Sequence, residues 1–144
     1  MDLTFQANGN LPKGIHVMLI EEFETKFGSN SHRKKLIEGL KRGMSHLKDC
    51  GCKTIFIDGS FVTTKEMPGD FDACWDSDGV DFPKLVSQYS TLVDFDDHRK
   101  NQKNLYFGEF FPASIITDGG VPFIAFFQKD KNGDPKGIVQ IDLN

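Results

Sequence analysis

Apolar residues at Leu36, Ile37, Leu40, Met44 and Leu47 recur at steps of three and four, which predicts a helix with one buried stripe. Ser29-Asn30-Ser31 offers oxygens to cap its start, and Gly51 suits the left-handed residue that follows a helix end. Upstream, Met18-Leu19-Ile20 through Phe23 and Phe27 predicts a short amphipathic stretch closed by Gly28. Residues 1–14, with Pro12-Lys13-Gly14, read as an irregular arm.

Beyond Gly51 the period shortens to two. Lys53-Thr54-Ile55-Phe56-Ile57 is β-branched and aromatic and predicts a strand running into Asp58-Gly59-Ser60. Phe71 to Trp75 alternates as a second strand, with Asp76-Ser77-Asp78-Gly79 as a turn after it. Phe82 to Tyr89 reads as a brief helix or turn, Thr91 to Phe95 as a third strand or a helix start, and His98 to Phe107 as a helix. Phe123 to Gln128 and Gly137 to Leu143 flank the turn chemistry of Asp130–Asp134, which predicts a C-terminal β-hairpin. With no repeat, linker or low-complexity stretch, the expectation is a single α+β domain over 1–144, a mixed β-sheet packed by helices.

Composition narrows the function classes. The chain has 144 residues and a net charge of −4, which argues against a protein that coats DNA or RNA, since phosphate neutralisation needs clustered cations. The basic run His32-Arg33-Lys34-Lys35 reads as a solvated helix face rather than a binding patch. Cys50, Cys52 and Cys74 cannot pair fully, and C-G-C is too tight for a zinc knuckle, so free buried thiols in a reducing cytoplasm are expected. No apolar run predicts secretion or membrane spanning.

The chemistry concentrates in DGSFVTTKEMPGDFDACWD, residues 58–76. A Gly-Ser turn after a buried strand lets the backbone approach a phosphate closely and adds N–H and hydroxyl donors. Asp70 and Asp72, at i and i+2 on a strand, would share one face, with Phe71 turned to the core. Hard carboxylate oxygens so placed suit Mg²⁺. An EF-hand register fails, because with Gly79 at position 6 the ligand positions 1 and 12 fall on Cys74 and Leu85. A P-loop fails for want of G-K-[ST]. A polar hairpin with solvent-facing aspartates stays open.

Strand, Gly-Ser, short loop and D-x-D resemble the signature of the polymerase-beta-type nucleotidyltransferase superfamily. The stretches LPKGIH, DGSFVTTKEMPGDFDACWD, LVDFDD, GEFFPA and KGIVQIDL are also similar to a small bacterial and mobile-element subgroup of it, covering most of the chain. The resemblance implies a nucleotidyltransferase-like fold that moves a nucleoside monophosphate from a nucleoside triphosphate onto a hydroxyl. Gly59 and Ser60 would bind the triphosphate, ATP among the candidates, and Asp70 and Asp72 the Mg²⁺ or Mn²⁺. Lys65, in the loop, is a candidate phosphate partner. A third acid is expected on a neighbouring strand: Asp94 in LVDF is preferred, with Asp142 in VQIDL as the alternative.

The acceptor would be a protein or an RNA. A partner protein could complete so small a site. The rival expectation is a nucleotide-binding or regulatory protein without turnover, such as a toxin–antitoxin or phage-defence component. Under the transferase reading, Asp70 and Asp72 should open into the same cleft as Ser60.

Overall fold

The computed structural model describes residues 4–113, 128, 132, 133 and 136–143. Five strands, β1 (Ile15–Val17), β2 (Thr54–Asp58), β3 (Phe71–Trp75), β4 (Gly108–Pro112) and β5 (Ile138–Asp142), form one sheet in the order β1-β5-β2-β3-β4. The central strand β2 runs antiparallel to both β5 and β3. The outer pairs, β1 with β5 and β3 with β4, are parallel. A parallel neighbour needs a crossover connection, and between β3 and β4 it is supplied by α3 (Phe82–Gln88) and α4 (Asp96–Tyr106).

The other helices are α1 (Ile20–Phe27) and α2 (Ser31–Asp49). The predicted stripe of α2 is buried at Leu36, Ile37, Leu40 and Leu47. Asn30 caps its start, accepting the Arg33 N–H at 2.8 Å, and Gly51 follows its end with φ of +90°. Two α2 glycines sit against the far edge of the sheet. A Cβ on Gly39 would lie 1.8 Å from the Tyr106 carbonyl oxygen, and one on Gly43 would lie 2.2 Å from the Phe110 ring. Glycine weakens a helix by about 1 kcal/mol relative to alanine, and here it admits β4 to close packing.

Strand alternation sorts the sheet into two faces. Ile55, Ile57, Phe71, Ala73, Trp75, Phe110, Val139 and Ile141 join the helices in the main core. Each large apolar side chain removed from water there contributes about 1.5–3 kcal/mol. Trp75 is fully buried, so it packs and is not offered to a base. The opposite face carries a smaller cluster of Cys74, Phe111 and Ala113 with Phe56. All three cysteines are free and buried. Among the described residues no helix is long and apolar enough to cross a membrane.

Three elements depart from the sequence-based expectations. Of the two readings of Thr91–Phe95 the strand fails and the helix start holds in part: Ser90–Val93 forms a 3-10 turn just ahead of α4. Strands β1 and β4 were not anticipated; β1 is a three-residue edge, and β4 opens on glycine and closes on proline, which only an edge strand tolerates. In the C-terminal hairpin, Phe123–Phe127 lies outside the described residues. The final strand is present and is inserted between β1 and β2, and Lys136 N–H donates to the Gln128 carbonyl at 2.9 Å.

Candidate functional site

The register sets acidic residues side by side. Asp58 on β2 stands opposite Asp72 on β3, and Asp72 stands opposite Glu109 on β4. Paired residues project to the same face, so three carboxylates line one edge of the face away from the helices. Asp70 lies one residue before β3. Like charges directly opposite one another are unfavourable in a sheet, and for three of the aspartates this adds to the larger effect of burial. Burial, then Asp70 and Glu109, push the Asp72 carboxyl up to about 7. Burial and then Glu109 raise Asp70. Burial, followed by Asp72, holds Asp58 well above the usual carboxylate range. Asp58 is 1% exposed; its Oδ1 has no hydrogen-bond partner among the described residues, and its side chain does not cap the turn after it.

The Gly-Ser turn packs directly on this row. Gly59 has φ of +78°, a left-handed conformation, and a Cβ there would lie 2.4 Å from Asp72 Oδ2. Position 59 must be glycine on both counts. The turn, Gly59–Val62, is one 3-10 segment, and the start of α2 fixes the chain beyond it. The buried Arg33 guanidinium donates to the carbonyls of Phe27 (3.2 Å), Phe61 (2.7 Å), Thr63 (3.0 Å) and Lys65. Asn30 Nδ2 donates to the Glu66 carbonyl at 2.9 Å, and His32 Nε2 bonds the Pro68 carbonyl. The expectation of a solvated basic face thus fails at Arg33, which is 3% exposed. From the other side, Thr64 N–H donates to the Gly9 carbonyl at 3.1 Å, so the presumed irregular arm also holds the loop.

A family profile described as a family of unknown function, DUF6932, matches residues 3–142. The chain belongs to this family. Comparisons with curated proteins and with solved structures give no match.

In this DUF6932 chain the predicted site residues fall into two groups. Gly59, Asp70 and Asp72 come together. Ser60 and Lys65 line an adjoining polar cavity of about 570 Å³ with Thr63, Thr64 and Lys136, and Lys136 is the cation that opposes the upward shifts of Asp58 and Asp72. Asp70 does not open into that cavity. It lines a separate cleft of about 250 Å³ with His32, Lys35, Lys103 and Phe107. Among the described residues Asp70 and Ser60 therefore line different clefts.

Neither sequence candidate for the third acid adjoins the pair. Asp94 is taken up in the turn before α4: its Oδ1 accepts the Asp96 N–H at 3.1 Å, and its Oδ2 accepts Asn101 Nδ2 at 2.8 Å. The Asn101 bond, above all, lowers its carboxyl. Asp142 is opposite Thr54, the far end of β2 from Asp58, a strand separation of about 13 Å. Glu109 occupies the neighbouring position. Its Oε2 accepts Arg99 Nε at 2.7 Å, and its Oε1 pairs with Lys103 Nζ at 3.1 Å. Arg99 reaches it from a turn in which Asp97, His98 and Arg99 all have left-handed dihedrals, φ of 51°, 56° and 59°. GEFFPA gave a weak strand signal, and without β4 in place Glu109 had no neighbour to suggest its role.

The donor set fits a divalent cation through Asp70 and Asp72, whose mutual repulsion such a cation would relieve. Among the described residues no three His, Cys, Asp or Glu side chains converge on one point. Mg²⁺ commonly takes one or two carboxylates, with water and substrate phosphate completing its shell.

Proposed function

We propose that this protein is a metal-dependent nucleotidyltransferase that moves a nucleoside monophosphate from a nucleoside triphosphate onto an acceptor hydroxyl, in a cytoplasmic setting. The observation that carries the proposal is the contact of Gly59 with Asp72, which joins a backbone turn suited to phosphate with a pair of carboxylates suited to Mg²⁺ or Mn²⁺. Ser60, Lys65 and Lys136 would hold the triphosphate in the cavity beside them. Asp70 and Asp72 would hold the metal, whose chemistry is to neutralise phosphate charge, and Glu109 is the acid positioned to assist them.

In the transfer, the acceptor oxygen bonds the α-phosphorus as the bond from that phosphorus to the β-phosphate oxygen breaks. Pyrophosphate leaves, and the hydroxyl proton passes to Asp70 and on to solvent. α-Labelled triphosphates with Mg²⁺ or Mn²⁺ should label an acceptor supplied as RNA, tRNA or lysate protein, and Asp70→Asn or Asp72→Asn should abolish it. Absence of triphosphate binding at millimolar concentration with either metal would end the proposal.

One observation favours a second reading, nucleotide binding without turnover, as in a toxin–antitoxin or phage-defence component completed by a partner protein. Both oxygens of Glu109 are engaged by Arg99 and Lys103. Triphosphate binding without label transfer to any acceptor supports this rival.

A further inference from the structure

We infer that the acceptor carries a phosphate close to the hydroxyl it presents, as an RNA end does, and that His32, Lys35 and Lys103 bind this phosphate in the cleft beside Asp70. The inference rests on the transferase proposal and names its acceptor. Asp72 touches Gly59, the residue before Ser60 of the Ser60–Lys65–Lys136 cavity, while Asp70 forms a wall of the other cleft. In phosphoryl transfer the attacking and leaving oxygens lie roughly in line on opposite sides of the phosphorus. A triphosphate held at the Gly-Ser turn leaves the Asp70 cleft to the acceptor.

The chemistry of that cleft selects an anion. Apart from Asp70, its polar side chains are His32, Lys35 and Lys103. The chain as a whole has 21 acids against 17 Lys and Arg, so the two lysines beside a reacting carboxylate run against its overall charge. Lys35 is exposed and has no acidic partner among the described residues; its ammonium lies over the Phe107 ring, 5.1 Å from the centroid. His32 is fixed by its bond to the Pro68 carbonyl. A cleft of about 250 Å³ suits one phosphate with part of its sugar. A serine, threonine or tyrosine side chain of a protein would bring no charge for these cations to meet.

The test uses the full chain with a fluorescent single-stranded RNA ending in a free 3′ hydroxyl, followed by anisotropy across a salt series. Transfer from α-labelled triphosphate to RNA, to a nucleoside monophosphate and to lysate protein is measured in parallel. RNA should bind more weakly as salt rises. Lys35→Ala should reduce the salt slope by about one charge, and Lys35→Glu should weaken binding at least tenfold, both variants melting as the unaltered protein does. Label on RNA or on the monophosphate supports a phosphate-bearing acceptor, and their relative rates say which source is used. Label on protein alone, or RNA binding indifferent to Lys35→Glu, overturns the inference and leaves the transferase proposal standing. Failure of any triphosphate to bind overturns both.

Discussion

Gly59 and Asp72 are in contact so close that a Cβ at position 59 would begin 2.4 Å from Asp72 Oδ2. Gly59→Ala must relax both a left-handed backbone and the carboxylate against it. It should cost about 2–4 kcal/mol in urea unfolding and reduce triphosphate binding. Gly69 has nothing within 4 Å of its Cβ position and no positive φ, so Gly69→Ala should change stability by no more than about 0.5 kcal/mol. Equal effects at the two glycines would show that the contact is not what position 59 requires.

Arg33 ties the loop to α2 by donating to the carbonyls of Phe61, Thr63 and Lys65. Arg33→Ala should cost about 3 kcal/mol and speed hydrogen exchange over residues 61–66. Arg33→Lys should recover little of this, because a single ammonium lacks the forked donors that reach several carbonyls. Full recovery by lysine would mean that charge, not the guanidinium fork, holds the loop.

The carboxylate row should cost the metal-free protein stability. Asp72 titrates near 7 in the folded state and near the usual carboxylate range when unfolded, so the folded state binds its proton more tightly. Stability therefore falls as pH rises from about 4 to 7 and then levels. Asp72→Asn should be more stable than the unaltered protein at pH 8, by about 1–3 kcal/mol, with the advantage fading below pH 4. Mg²⁺ should raise the melting temperature of the unaltered protein more at pH 8 than at pH 5, and should do little for the variant.

Glu109 and Asp94 make opposite predictions. Under the transferase proposal, Glu109→Gln should lower label transfer at least 100-fold, an effect of about 3 kcal/mol on the barrier. Asp94→Ala removes the acceptor of the Asp96 N–H and the Asn101 amide and should lower the melting temperature slightly, with transfer reduced less than tenfold. The reverse order would return the third-acid role to Asp94.

Local pattern made much of the fold legible. The stripe of α2, the Asn30 cap, β2 and β3 follow from residues next to one another in sequence, as does the closeness of a Gly-Ser turn to D-x-D. What stayed hidden depends on pairings between distant segments. Glu109 becomes a neighbour of Asp72 only once β4 lies parallel to β3. Asp94 looked like a strand acid because it sits in LVDF, but those residues form a 3-10 turn ahead of α4, and Asn101 of that helix donates to Asp94. Arg33 sits in a run of basic residues, and nothing local says that it alone turns inward to meet carbonyls some 30 positions away. Nor does sequence show that Asp58 lies buried across from Asp72.

The missing side chains at Gly39 and Gly43 act as a spacer for the carboxylate row. The helix seats on the Tyr106 carbonyl and the Phe110 ring, and Phe110 adjoins Glu109 on β4. A single methyl at either glycine would work as a wedge, prising the edge strand outward and carrying Glu109 away from Asp72. The spacing between Asp72 and Glu109 would then be adjustable from the opposite face of the sheet, through residues that lie outside the carboxylate row.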